Sequence, residues 1–434
     1  MLGSTAVLLT ITFSSKLIGF VRELILLGSL GIGANLDMFV VLYGLVNLLA
    51  GALGICIVTS LTPIAGEYTT RSDTIGLLRE GARAGVVAGL IALAGSAFYA
   101  AATGAFSASF SGVSDTWPIV LIVPLVVPFA IVAEYQVALF LSRDQRVPVI
   151  AGNLILSLPL VAALLLFDLG IAAYAAGLAA TFLLRAAIFT ALLLRGAVPD
   201  AGRVRRAKTM LFSKRLFPTL AGGSAMLAIA AIAVSAQMAA RELADGQATI
   251  VAYGLKVPQF IITSIWFVLG TGFFADLAMR GTAGANRRIA IYCAINLALA
   301  LILAVGVLGA PYVLVPSLTW ANWSDQSDIA LVIAASAPFL PLIVLTPLAE
   351  MTQRLLAADG CHRMVLSIAG AILIGGFCAQ AIALFLRSMP LIAWSPTLGG
   401  ALGAGVCAAL LLHHPLGQAR PTPGTQRTLS HAQT

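Results

Sequence analysis

Apolar runs of about 20 residues recur along the whole chain, and they limit the fold more than any other feature of the sequence. A run of that length can cross a bilayer as an α-helix. Strands of a membrane β-barrel would alternate apolar and polar residues, and these runs do not. Charged residues make up 10% of the chain, whereas soluble domains carry about 25%. The sequence therefore predicts an all-α polytopic membrane protein.

The runs predict twelve spans, and the first is expected to be retained because no basic segment precedes it. Of the 25 lysines and arginines, nineteen lie in or beside alternate loops and the C-terminal tail, whereas Arg241 and Arg387 lie on the opposite side. By the positive-inside rule this asymmetry places both termini in the cytoplasm. The approximate spans are 2–30, 36–64, 82–106, 117–141, 147–167, 170–194, 216–240, 247–277, 289–310, 328–349, 364–386 and 391–412.

The densest basic stretch, RGAVPDAGRVRRAKTMLFSKR, runs from Arg195 to Arg215 and separates six spans from six. Its charges are expected to orient the helices and to contact anionic membrane lipid. This gives an N-terminal six-helix half (1–195), a basic cytoplasmic linker (196–215), a C-terminal six-helix half (216–414) and a disordered cytoplasmic tail (415–434).

The two halves resemble each other at matching positions. AEYQVALFLSRDQRVPVI (133–150) and AEMTQRLLAADGCHRMVL (349–366) both join an Ala-Glu pair to an acid and then to basic residues. A parallel repeat of this kind is typical of transporters, whose substrate site lies between the repeats. Glu134 and Glu350 in these segments are expected to pair with loop arginines.

Charges also occur inside the spans, in KLIGFVRELILLGSLGIGANLD (16–37) above all. On a helix, Ser15, Lys16, Gly19, Arg22 and Glu23 fall within a sector about 120° wide. A charge inside a bilayer normally faces a cavity or a partner. An internal salt bridge, such as Arg22 with Asp37, is the structural alternative.

Polar residues on three spans would meet in a central cavity between the halves. Because its cations outnumber its acids, we expect an anionic substrate such as a phosphate or pyrophosphate group. The expected substrate-binding residues are Lys16, Arg22, Asn47, Lys256 and Gln259. Glu23 and Asp37 are expected to be charge partners in the cavity, with Arg185 and Ser15 as further candidates.

Other functional classes find little support in the sequence. Five scattered cysteines and four histidines show no metal-ligand spacing, so no metal and no cofactor are expected. The net charge of +8 follows the membrane topology, so no nucleic-acid partner is expected. No catalytic residues are assigned, and a membrane glycosyltransferase would need catalytic carboxylates or a large extramembrane domain. The chain is expected to be a transporter rather than an enzyme.

The first two spans resemble those of the MurJ/MviN-type lipid II flippases, in the multidrug/oligosaccharidyl-lipid/polysaccharide (MOP) exporter superfamily. The similarity covers about 65 residues strongly, and YGLKVPQF (253–260) resembles the motif of span 8, with Lys256 at a cavity arginine position. The matching residues are Lys16, Gly19, Phe20, Arg22, Glu23, Gly31, Gly33, Asp37, Phe39, Asn47, Leu48, Leu49, Pro63, Glu67 and Tyr68.

This resemblance implies a fold of two six-helix halves around a V-shaped cavity, in the bacterial inner membrane. It also implies that Arg22 and Lys256, assisted by Lys16, bind the pyrophosphate of a polyprenyl-linked saccharide, while Asn47 and Gln259 bind sugar. The cycle would be alternating access, driven by a coupling ion or the membrane potential.

Departures from the family pattern leave alternatives open. Ala50 and Gly51 stand where the family usually has paired arginines, Ile55 stands where it has a glutamate, and the chain ends after span 12. The substrate could therefore be lipid II or an exopolysaccharide precursor. A MATE-like cation-coupled exporter of small molecules and an inactive homologue are the other interpretations.

Overall fold

The computed structural model contains α-helices and short 3₁₀ segments, with no strand in the part of the chain that it describes. Among those residues, nine helices are long and apolar enough to cross a membrane. The predicted all-helical membrane fold is therefore confirmed. The structure describes residues 2–65, 70–103, 116–143, 145–167, 169–198, 216–262, 287, 289–298, 301–302, 305, 326–358 and 361–413.

The helices follow the predicted spans closely in most of the chain. The first group is α1 (Leu2–Leu30), α2 (Ala34–Ala65), α3 (Arg71–Ala102), α4 (Thr116–Ile122), α5 (Val126–Ser142), α6 (Arg146–Leu166) and α7 (Ile171–Arg195). The second group is α8 (Leu216–Arg241), α9 (Gln247–Ile261), α10 (Ile289–Ala298), α11 (Gln326–Ala335), α12 (Leu342–Ala358), α13 (His362–Phe385) and α14 (Met389–His413). Most of the predicted linker, from residue 199, and the tail 415–434 lie outside the described residues, as do Glu67 and Tyr68.

Two predicted boundaries differ from the structure. Helix α3 begins at Arg71, eleven residues before the predicted start of the third span. Its first turns are polar, and they form because the hydroxyl of Thr70 accepts a hydrogen bond from the backbone N–H of Asp73 (3.2 Å) and so caps the helix. The tenth span, predicted to end at 349, continues as α12 to Ala358.

A proline-containing 3₁₀ segment interrupts one helix in each group. Val123–Leu125, with Pro124, separates α4 from α5, and Ala337–Phe339, with Pro338, separates α11 from α12. Proline cannot donate to the helical ladder, so a local change of hydrogen bonding is expected there. Pro124 lies ten residues before Glu134 and Pro338 lies twelve residues before Glu350, so the interruptions stand at similar points ahead of the two related segments.

The helices pack as two groups with separate hydrophobic cores. Helices α1 to α7 enclose a core centred on α2 and α5, to which α9 and α11 also contribute, and α8, α9, α12, α13 and α14 enclose another. Glycine allows α3 to pack closely on α5. A Cβ atom at Gly85 of α3 would lie 2.6 Å from the carbonyl oxygen of Pro128 in α5, so a side chain there would force the helices apart. The groups meet where α1 and α2 contact α8 and α9, which places the polar stripe of α1 beside α9.

Candidate functional site

A cavity of about 640 Å³ lies where the two groups of helices meet. One wall consists of α1, α2, α5, α6 and α7, and the other consists of α8, α9 and α12. Its lining carries four basic side chains and two acidic ones. The basic residues are Lys16, Arg22, Arg185 and Lys256, and the acids are Glu23 and Glu134.

The structure brings most of the predicted site residues to this cavity. Those that line it are Ser15, Lys16, Arg22, Glu23, Asn47, Arg185, Lys256 and Gln259. The positions of the missing arginine pair, Ala50 and Gly51, also lie on the wall. Asp37, which was expected to be a charge partner in the cavity, lies outside it.

Three charged residues join α1 to α9. Glu23 accepts hydrogen bonds from both Arg22 and Lys256, so that one carboxylate forms ion pairs with two cations. The Lys256 ammonium also lies 4.4 Å from the centre of the Tyr253 ring, where the π-electron face stabilises a cation. We call Arg22, Glu23 and Lys256 the bridging cluster, because it connects the two groups of helices.

The bridging cluster is nearly enclosed. The side chains of Arg22 and Glu23 are 11% and 9% exposed, and that of Lys256 is 23% exposed. Tyr43 and Tyr174 approach the Arg22 guanidinium from α2 and α7. Ionic interactions are stronger where water is excluded, so Glu23 holds both cations in defined positions. The alternative of an internal salt bridge is therefore met in part, because Arg22 does form an ion pair, although with Glu23 and not with Asp37.

The other three cavity charges form a second cluster within the first group of helices. Lys16 of α1 and Arg185 of α7 lie within electrostatic range of each other, and Glu134 of α5 lies near Arg185. Among the described residues, neither cation forms an ion pair with Glu134 at 4.0 Å or less. We call Lys16, Glu134 and Arg185 the N-terminal cluster.

Asp37 caps a helix instead of lining the cavity. Its Oδ1 accepts hydrogen bonds from the backbone N–H (2.7 Å) and the hydroxyl (2.6 Å) of Thr249, and its Oδ2 accepts one from the N–H of Gly246 (2.6 Å). Gly246 has φ +86°, which glycine adopts without strain. A carboxylate at a helix N-terminus satisfies unpaired N–H groups and is favoured by the helix dipole. Asp37 therefore attaches α2 to α9.

A second polar contact lies near this cap. The Arg241 guanidinium, at the end of α8, donates a hydrogen bond to the hydroxyl of Tyr99 in α3 (3.1 Å) and packs over its ring. Both contacts join the two groups at one end of the molecule, where α2 and α9 begin and α3 and α8 end. Polar contacts therefore connect the two groups of helices at that end.

Glu134 lines the cavity, although it was not predicted to do so. It was expected to pair with loop arginines, but its side chain packs against Gly54 and lines the cavity. The signal was present in the spacing, because Glu134 lies eight residues before Ser142, the last residue of α5, and so well inside the span. The tyrosines around Arg22 were also missed, since an aromatic residue in an apolar run gives no indication of which cation it contacts.

Comparison with known proteins identifies the fold. No family model matches the chain, and no curated protein matches its sequence. Solved structures do match this chain over nearly its whole length. One is the lipid II flippase MurJ in an inward closed conformation, which is 11% identical in sequence. The match covers 94% of this chain and 88% of the MurJ chain, with a TM-score of 0.59. An outward-facing multidrug resistance MATE transporter of the MOP superfamily has 15% identity, coverages of 93% and 95%, and a TM-score of 0.59.

The chain has the MOP-transporter fold. A third structure, a MOP transporter from Pyrococcus furiosus described as having a binding pocket of reverse polarity, has 13% identity, coverages of 93% and 94%, and a TM-score of 0.56. These neighbours are transporters, and their identities of 11–15% show the fold alone. MurJ and MATE structures match equally well, so the specific resemblance to MurJ/MviN stays a prediction.

Proposed function

We propose that the protein moves a saccharide linked to polyprenyl pyrophosphate across the bacterial inner membrane by alternating access. The observation that carries this proposal is the charge of the cavity, where four basic side chains face two acidic ones. A buried surplus of cations is costly unless an anion compensates it. Pyrophosphate is an anion for which arginine and lysine are the common ligands.

The location of the cavity supports a transport cycle. Its walls come from both groups of helices, and the bridging cluster and the Asp37 cap both join them. Rocking of the groups against each other would open one end as the other closes. In the predicted topology the end that the Asp37 cap connects faces away from the cytoplasm, so the head group would enter from the cytoplasmic side.

The exact substrate is part of the proposal. Lipid II and exopolysaccharide precursors share the pyrophosphate that the cations would bind. Asn47 and Gln259, which line the same cavity, would bind sugar hydroxyls, while the polyprenyl tail would stay in the surrounding lipid.

Native mass spectrometry of the detergent-purified protein tests this proposal. Wild type is expected to retain a polyprenyl-pyrophosphate saccharide, and Arg22→Ala is expected to lose it. The variant should fold, because Glu23 keeps Lys256 as a partner and the remaining pair is neutral. Arg195→Ala, at the exposed end of α7, is the matched control and should retain the lipid. If wild type carries bulk phospholipid alone, the proposal fails.

A small-molecule exporter of the MATE type is the second candidate, and two observations favour it. MATE structures match with the same TM-score as MurJ, and Glu134 places a carboxylate in the cavity. Proteoliposomes with an imposed sodium or proton gradient separate the candidates. Gradient-driven uptake of a fluorescent organic cation, abolished by Glu134→Gln, would support the exporter.

A further inference from the structure

The two charge clusters of the cavity differ in how their cations are compensated. In the bridging cluster, one carboxylate forms ion pairs with both cations. In the N-terminal cluster, Lys16 and Arg185 lie near each other and Glu134 stands beyond ion-pair distance, within the described residues. Each cluster carries one positive charge in excess, and of the two clusters the N-terminal one holds its cations without an ion-pair partner among the described residues.

Arg185 is the best-defined member of that cluster. It is 8% exposed, and its guanidinium lies 5.2 Å from the centre of the Phe189 ring. Its Nε atom is buried and has no hydrogen-bond partner among the described residues. A buried guanidinium with an unpaired donor is unfavourable, so a ligand that accepts from the Arg185 guanidinium is expected.

The surroundings of Arg185 favour its present position. A Cβ atom at Gly152 of α6 would lie 3.0 Å from Arg185 Nε and 2.4 Å from Phe189 Cζ, so a larger residue would displace both. Ser157 of α6 and Ser15 of α1 also line the cavity. The position thus combines a fixed guanidinium, an ammonium and small polar residues.

The two clusters are attached at different heights along α1. Lys16 and Arg22 are six residues apart on α1, which corresponds to about 9 Å along the helix axis. The two phosphorus atoms of a pyrophosphate share one bridging oxygen and lie much closer together. A pyrophosphate held at Arg22 and Lys256 therefore leaves Lys16 and Arg185 available for another anionic group of the same substrate.

We infer that Lys16 and Arg185 form a second anion subsite, which binds a carboxylate on the saccharide. The inference rests on the proposed function and narrows its substrate to lipid-linked saccharides that contain an acidic sugar such as a hexuronate. A carboxylate matches the single excess charge of the cluster, whereas a phosphate monoester carries about −1.5 to −2 at neutral pH. The planar guanidinium of Arg185 also fits a carboxylate through paired N–H···O bonds.

A matched pair of synthetic lipids tests the subsite in the full-length, detergent-purified protein. The probes are farnesyl-pyrophosphoryl glucose and farnesyl-pyrophosphoryl glucuronate, which differ in one carboxylate. Wild type is expected to bind the glucuronate about tenfold more tightly, the factor given by one charge-assisted hydrogen bond. Arg185→Gln should abolish this preference, so that the variant binds the two lipids equally.

Further variants distinguish failure of the proposed subsite from failure of the proposed function. If Arg185→Gln does not fold, Lys16→Gln is expected to lower the ratio of the two affinities in the same way, and Arg195→Gln on the same helix as Arg185 should behave as wild type. Equal affinities of wild type for the two lipids would overturn the subsite while the proposed function stands. Loss of affinity for both lipids in Arg185→Gln would also overturn it, since Arg185 would then act on the pyrophosphate. Failure of wild type to bind either lipid would overturn the subsite and the proposed function together.

Discussion

The carboxylate of Asp37 receives two hydrogen bonds from Thr249, one from its backbone N–H at 2.7 Å and one from its hydroxyl at 2.6 Å. The two residues are 212 positions apart in the chain, on helices of different groups. Because the Gly246 N–H donates to the other carboxylate oxygen, Asp37 caps α9 with both oxygens. The contact is therefore a joint between the two groups of helices as well as a helix cap.

Replacement of Asp37 by alanine should loosen this joint. Hydrogen bonds to a charged group contribute about 1.5–3 kcal/mol each, and a lost helix cap costs about 1 kcal/mol. We expect Asp37→Ala to lower the free energy of unfolding in detergent by about 2 kcal/mol. Asp245→Ala, at an exposed position in the same loop, is the control and should change it little. Equal stability of the two variants would contradict the cap.

Glu23 should be the most sensitive residue of the bridging cluster. Glu23→Gln leaves Arg22 and Lys256 without their shared partner, and removal of one partner of a buried ion pair costs about 3–5 kcal/mol. The double variant Glu23→Gln/Lys256→Gln removes one of the stranded cations as well. We therefore expect it to be less destabilised than the sum of the single variants, by at least about 1 kcal/mol. Denaturant titration measures the free energy of unfolding of each variant. If the losses of the two single variants simply add in the double variant, Glu23 and Lys256 do not interact.

Two glycines of α3 should respond in opposite ways to alanine. At Gly85 a Cβ atom would meet the backbone oxygen of Pro128 at 2.6 Å, whereas at Gly76 it would meet no heavy atom within 4 Å. Gly85→Ala is expected to cost about 1–3 kcal/mol because the helices must separate. Gly76→Ala should be neutral or stabilise by up to about 1 kcal/mol, since alanine is the better helix former. Thermal unfolding of the two variants measures these changes in stability. Equal losses of stability in Gly85→Ala and Gly76→Ala would contradict close packing of α3 on α5.

The distribution of basic residues predicts the orientation of the chain. A green fluorescent protein fused to the C-terminus should fluoresce, because that fusion partner matures in the cytoplasm and both termini are predicted to lie there. Alkaline phosphatase inserted after Arg387, between α13 and α14, should be active, and the same enzyme at the C-terminus should not. The reverse pattern would place the termini outside the cytoplasm and invert the predicted direction of entry to the cavity.

Much of the fold was predictable because bilayer thickness sets the length of an apolar run. The second predicted span, 36–64, lies within Ala34–Ala65, and the sixth, 170–194, is shifted by one residue from Ile171–Arg195. Hydropathy does not report the polar turns by which a helix extends beyond the bilayer. The early start of α3 at Arg71 was therefore not predictable in this way, although Thr70 and Asp73 form a recognisable cap.

The cavity residues were predictable where helical spacing alone determines a face. Lys16 and Arg22 share a polar sector on α1, and both line the cavity. Spacing could not show that Asp37 would turn towards the backbone of residues 246 and 249, because that contact depends on how two distant helices pack. The position of Glu134 depended on packing in the same way, since Gly54 of α2 provides the space for its side chain.

The shared carboxylate of Glu23 has a consequence for synthesis of the protein in the membrane. Glu23 precedes Lys256 by 233 residues, and ribosomes add about 5–20 residues per second. The first helix must therefore remain in or near the bilayer for about 12–47 s before its distant partner is made. During that interval Arg22 is the adjacent counter-ion of Glu23, and the ion pair within α1 reduces the cost of inserting its charges until the second group of helices arrives.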